Sequence, residues 1–104
     1  MCTLLLSKSE KHFPVEDTEI CHLEADDKYC DIFLTTKEKF TENHCLLFYE
    51  NKLAPGGLFI KLGRSLLVNR KQIHSFSRSV LFMKNGIELQ LNDALHSQLM
   101  ELLG

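Results

Sequence analysis

The chain predicts a mainly β fold, and three observations carry that expectation. Short segments rich in β-branched, aromatic and leucine residues recur about every ten residues, between charged or turn-forming ones. Asn85-Gly86 stands between two such segments as a hairpin signal. Only two stretches show three- and four-residue apolar spacing instead. With 104 residues and 44% apolar content, the chain is long enough for one compact core and too short for two, so residues 1–104 are expected to form a single domain.

Taken in order, the pattern predicts strands at Thr3 to Leu6, His12 to Val15, Ile20 to Glu24 and Tyr29 to Thr35. From Glu42 to Lys52 the period changes. Leu46, Tyr49 and Leu53 recur on one helical face, Thr41 or Asn43 can cap the start, and Pro55-Gly56-Gly57 stops the chain. Strands resume at Leu58 to Leu62, Leu66 to Val68, Ile73 to Ser77, Val80 to Lys84 and Ile87 to Leu91. Asn85-Gly86 is expected to join the last two as a type I′ turn, with positive φ at both central residues. A second helix from Asp93 to Leu103 lines up Leu95, Leu99, Leu102 and Leu103, with Asn92 or Asp93 accepting from its free amides.

Composition narrows the function. No uninterrupted apolar run reaches about 18 residues, and Leu4-Leu5-Leu6 runs straight into Ser7-Lys8-Ser9-Glu10-Lys11, so a cytoplasmic chain with no membrane partner is expected. Cys2, Cys21, Cys30 and Cys45 lack a C-x-x-C pair and read as reduced, small apolar residues. Cys21-His22 and His44-Cys45 hold the residue types of a zinc shell, but neighbours on a strand face opposite ways and do not converge on one ion. Asp26-Asp27 reads as a polar hairpin tip, and Gly56-Gly57 as a helix stop with no helix behind it to receive a phosphate. Without a nucleophile beside a base or paired carboxylates on one rigid element, neither an enzyme nor a cofactor, metal or small-molecule substrate is expected.

The net charge of −2 hides a separation of signs. Residues 1–60 carry six bases and eleven acids, residues 61–87 six bases and no acid, and residues 88–104 three acids. The middle segment supplies Lys61, Arg64, Arg70, Lys71, Arg78 and Lys84, the footprint a polyanion partner needs, although a solvated face gives the same charge pattern. Within it, apolar residues flank Gly63-Arg64-Ser65, so a bend there projects Arg64 and Ser65 outward together. A guanidinium can donate two parallel hydrogen bonds to guanine O6 and N7 or to phosphate, and a serine hydroxyl beside it can hold a phosphate oxygen. Asn69 follows the next strand, where its amide can bond nearby backbone and shape the turn into Arg70-Lys71.

At these residues a family resemblance becomes specific. Phe59 to Ile73 resembles the F-x-[RK]-x-H-R-S-x-x-V-N-x-x-x-I core of LytTR DNA-binding domains. Ile20 to Tyr29 (ICHLEADDKY), with Phe13-Pro14-Val15 before it, resembles the family's I-x-x-[IL]-E-A-x-x-x-Y segment, and Leu81 to Leu91 its hairpin before the final helix. The likeness covers roughly residues 11 to 103, in order and spacing. It implies an elongated fold of about ten short antiparallel strands in small stacked sheets, with one short central helix and a C-terminal helix. It also implies a transcriptional regulator that reads successive major grooves of double-stranded DNA through loops, often as two copies on direct repeats.

Position by position, the resemblance implies a first DNA loop at Asp26 to Cys30, a second at Arg64 and Ser65, and a third around Asn92 to Ala94. Lys28 would meet phosphate or a base edge, Arg64 a base edge and Ser65 phosphate; from the charge pattern rather than the resemblance, Lys61, Arg70 and Lys71 are expected to add cationic contacts. Gly63 stands where the family often has histidine, and Asn92-Asp93-Ala94 replaces a frequent Ser-Arg-Arg, losing two cations and gaining an acid. Each lost phosphate contact lowers the salt slope of log affinity by about 0.9, so modest binding is expected. About 18 residues precede the first matched strand block, so no receiver domain is expected within the chain. The alternative reading is a protein-interaction module that kept this fold, lost DNA affinity and modulates another regulator.

Overall fold

A computed structural model describes residues 2–104. Ten strands form three antiparallel sheets. β1 (Thr3–Lys8) and β2 (Lys11–Glu16) make a hairpin. β3 (Ile20–Asp26), β4 (Tyr29–Leu34), β5 (Lys39–Glu42), β6 (Phe59–Leu62) and β7 (Leu66–Asn69) make a central sheet in the order β5-β4-β3-β7-β6. β8 (Ile73–Phe76), β9 (Val80–Met83) and β10 (Glu88–Gln90) make the third, in the order β10-β9-β8. The helices are α1 (Leu46–Leu53) and α2 (Asp93–Leu103). The body is elongated, 40 × 25 × 24 Å.

Strand β3 is buried over its first four residues because it lies between two cores. On one side of the central sheet, Leu23, Cys30, Ile32 and Leu67 pack with Phe40, with Tyr49 and Leu53 of α1, and with Leu4, Leu6 and Val15 of the first hairpin. On the other, Cys21, Leu62 and Val68 pack with Leu81, Met83 and Leu89 of the third sheet and with Leu99 of α2. A bulge between Ile20 and His22 shifts the register and turns Cys21 to the second core. Asn69 fastens the two ends of this arrangement: buried at the end of β7, it donates from Nδ2 to the Ile20 carbonyl (2.9 Å) and accepts at Oδ1 from the Lys71 amide (3.0 Å).

Four details depart from the expectation. A tenth strand, β5, occupies Lys39–Glu42, pairing with β4 so that Phe40 enters the core and the Thr41 hydroxyl donates to Asp31 across the pair (2.7 Å). The first helix accordingly begins only at Leu46, and its N-cap, Cys45, makes no side-chain cap bond, so neither Thr41 nor Asn43 serves there. The final hairpin turns through three residues rather than two. The Gly86 amide donates to the Met83 carbonyl, and only Gly86 has positive φ (92°), which is the geometry of a type I turn closed by a left-handed glycine. Asn85, freed from a left-handed conformation, accepts from the Ile87 amide and donates to the Leu34 carbonyl (3.3 Å), tying this hairpin to the end of β4. Finally, α2 buries Leu99 and half-buries Leu95, whereas Leu102 and Leu103 remain exposed, because the last turn overhangs the body.

Candidate nucleic-acid interface

Successive turns of antiparallel strands fall at alternate ends of a sheet, and this sorts the candidate residues into two groups. At one end, the Ala25 amide donates to the Ser65 carbonyl (2.8 Å), which sets the β3–β4 turn carrying Asp26, Asp27 and Lys28 beside the β6–β7 turn of Gly63, Arg64 and Ser65. The Leu91 amide donates to the Ser79 carbonyl (2.8 Å), and the Arg78 guanidinium lies 3.8 Å from Asp93, which draws the β8–β9 turn to the N-terminus of α2. Between the two pairs of turns lies an open depression of about 580 Å³, its rim including Arg64, Ser65 and Asn92 and its wall Glu24 and Glu88.

The bend at the second turn follows from its glycine. Gly63 has φ 64°, a conformation that costs any side chain about 1 kcal/mol or more, and a Cβ there would stand 3.1 Å from Leu95. The Gly63 amide donates to Gln98 Oε1 (3.2 Å), and Gln98 Nε2 donates to the Lys61 carbonyl (2.9 Å), so α2 braces the turn that presents Arg64. Arg64 and Ser65 are exposed, and Arg64 makes no ion pair among the described residues.

The nine candidate residues divide accordingly. Asp26, Lys28, Arg64, Ser65 and Asn92 lie at this end and are exposed. Asn92 is committed to helix capping, its Oδ1 accepting from the Leu95 amide (2.8 Å). The other four lie elsewhere. Cys30 faces the core opposite Ala25 and is fully buried, its thiol pushed up to about 12 by loss of solvent, so it cannot reach a duplex. Lys61 faces α1, where its ammonium pairs with Glu50 (3.2 Å) in a half-buried site, and is not a free cation. Arg70 and Lys71 lie beyond the far end of β7, separated from Ser65 by the whole strand, about 16 Å at roughly 3.3 Å per residue. The acid-free stretch of residues 61–87 is therefore not one patch in space.

Sequence reading passed over two features of this end. Tyr29, half-exposed (49%) beside Lys28, is a large aromatic that core packing does not explain; the sequence places it within the first loop but gives it no contact of its own. Glu24 and Glu88 bring acid into the depression. With Asp26, Asp27 and Asp93 against Lys28, Arg64 and Arg78, this end is not cationic.

Glu24 has a partner behind it. His22, buried and stacked on Phe33 (4.5 Å between ring centres), holds Nε2 3.6 Å from Glu24 Oε1, an electrostatic contact longer than a hydrogen bond. The imidazole beside Glu24 holds its carboxyl below the ordinary value of 4.5. A carboxyl with a lowered folded pKa contributes stability above its unfolded pKa and loses it as pH falls through the folded one. The stability difference between wild type and Glu24→Gln, measured by urea titration, should therefore shrink as pH falls from about 5 to about 3. A difference that persists unchanged at the acid end contradicts this coupling.

Ten short strands in three small antiparallel sheets, with two helices and exposed turns at the sheet ends, define a mainly β domain. The chain belongs to the LytTr DNA-binding domain family, whose model matches residues 10–104. Among solved structures it is similar to the LytTr DNA-binding domain of a protein named as a response regulator from Bacillus cereus, with 27% identity and a TM-score of 0.81 over 100% of this chain and 98% of that one. No curated protein sequence matches the chain. The fold class and family expected from the sequence both hold, and the family is one of DNA-binding rather than catalytic domains. Among the described residues, no helix is long and apolar enough to cross a membrane.

Proposed function

We propose that this chain is a sequence-specific transcriptional regulator of the cytoplasm that reads the major groove of double-stranded DNA through the turns at one end of its sheets. Arg64 meets a base edge, while Ser65 and Lys28 hold phosphates, and two copies occupy direct repeats. The observation that carries this reading is an exposed arginine with no ion pair among the described residues, on a bend set by a left-handed glycine and braced by α2 beside a second exposed turn.

The test begins by selecting bound sites from a randomised duplex pool. Wild type and Arg64→Ala are then titrated on the selected duplex by fluorescence. Loss of a base contact should weaken binding by about 1–3 kcal/mol, roughly 5- to 150-fold, and relax the preference at one base position. Equal affinity in the variant removes Arg64 from the interface. Enrichment of a direct repeat with half-sites about one helical turn apart supports two copies on one side of the duplex.

The acids at the same end favour a second reading. Glu24, Asp26, Asp27, Glu88 and Asp93 suit a module that pairs with another regulator and restrains it. A stable protein complex in native mass spectrometry, with no duplex binding at low salt, selects this alternative.

A further inference from the structure

We propose that the opposite end of the domain is a second nucleic-acid contact, which grips the phosphate backbone of a separate DNA segment without regard to sequence and lets one domain bridge two duplexes. The proposal relies on the reading above only for the first duplex.

Three turns meet at that end. The Lys84 amide donates to the Gln72 carbonyl (2.8 Å), which joins the β9–β10 hairpin to the turn carrying Arg70 and Lys71. Asn85 bonds the Leu34 carbonyl, which brings in the β4–β5 turn, and the Lys37 ammonium lies 3.5 Å from the position a Cβ would take on Gly86. Lys37, Arg70, Lys71 and Lys84 are thereby gathered at neighbouring turn tips, all exposed, and none makes an ion pair among the described residues. Nearby acids are engaged elsewhere: Glu38 pairs with Lys8 (3.5 Å), and Glu19 accepts from the Glu16 amide (3.0 Å). Glu88, the first residue of the edge strand β10, lines both the depression near Arg64 and a shallow one with Lys84, and makes no ion pair among the described residues.

Four unneutralised cations within about one or two Debye lengths repel one another, and a polyanion relieves that repulsion. A duplex presents a charge about every 1.7 Å along its axis, so such a patch faces several phosphates in any register. An acidic protein surface fits less well. Protein interfaces centre on exposed aromatic or aliphatic anchors, and the large exposed apolar residues (Leu5, Phe13, Tyr29, Leu47, Phe48, Met100, Leu102 and Leu103) lie on other elements. A duplex seated end-on at the Arg64 turn leaves Arg70 and Lys71 about 16 Å away, at the opposite end of β7.

The experiment captures one duplex with another. The selected-site duplex is immobilised and loaded with protein, and a fluorescent random-sequence duplex is added. Wild type should retain the second duplex with a salt slope near −3, equivalent to roughly a 60-fold loss of affinity between about 50 and 200 mM salt. The variant Arg70→Glu/Lys71→Glu/Lys84→Glu should lose capture at least about tenfold while binding the selected duplex as wild type does. The neutral set Arg70→Gln/Lys71→Gln/Lys84→Gln, with an unchanged melting curve, should show the same pattern. Arg64→Ala in direct titration should keep binding random duplex, and adding the triple change should abolish it. The proposal falls if wild type captures no second duplex, if both variant sets capture as wild type does, if they weaken binding to the selected duplex alone, or if poly-glutamate displaces the second duplex at equal charge concentration. Failure of the Arg64 reading appears separately, as an unchanged affinity of Arg64→Ala for the selected site.

Discussion

Asn69→Ala should cost about 2–4 kcal/mol of folding stability and lower Tm by roughly 10–25 °C. The reason is that two backbone groups depend on one buried amide: the Ile20 carbonyl, where β3 begins, and the Lys71 amide, where the chain leaves the central sheet for the third. Removing the side chain takes this partner from both; the buried Ile20 carbonyl then costs about 1–3 kcal/mol, and the part-buried Lys71 amide less. Asn69→Asp separates the contributions, since it keeps an acceptor for Lys71 and loses the donor to Ile20. In hydrogen exchange the Lys71 amide should stay protected in the aspartate variant and lose protection in the alanine one. A Tm for Asn69→Ala within about 3 °C of wild type would show that water or a shifted backbone satisfies both groups.

Asn69 also marks how far the sequence could be read. Its role was legible because it is local: an amide at the end of a strand has its own chain to bond two residues on, and only the partner at Ile20 required the fold. The exposed bend at Gly63-Arg64-Ser65 was legible for the same reason. β5 was not, since Lys39–Glu42 contains one apolar residue and becomes a strand only through pairing with β4. Cys30 was open to the alternation argument, because it shares its strand face with Ile32 and Leu34, yet the loop assignment drawn from resemblance overrode that signal. Lys61 needed Glu50, which arrives from α1 and has no local signature. The charge-free-of-acid stretch misled for a topological reason. Cations close in sequence are far apart in space when a strand lies between them, so Arg64 and Arg70 occupy opposite ends of β7.

The same reasoning from topology makes α2 the support of the Arg64 turn, and Leu99→Ala should expose this. Leu99 is the one α2 residue wholly buried in the second core, among Leu62, Val68, Leu81 and Leu91. Truncating a buried leucine costs about 2–5 kcal/mol. Since the next apolar residues toward the C-terminus are exposed, only half-buried Leu95 and the Gln98 bonds share the work of holding the helix down. The loss should therefore be concentrated in α2, raising exchange of its amides well above that of β3 and β7. Gln98 then releases the Gly63 amide and the Lys61 carbonyl, and the turn that aims Arg64 loses its brace. Affinity for the selected duplex should fall although no contacting group has changed, and combining Leu99→Ala with Arg64→Ala should cost less than the sum of the two, because a misplaced arginine has less to lose. Full additivity of the two changes would mean that α2 stabilises the domain without positioning its candidate reading residue.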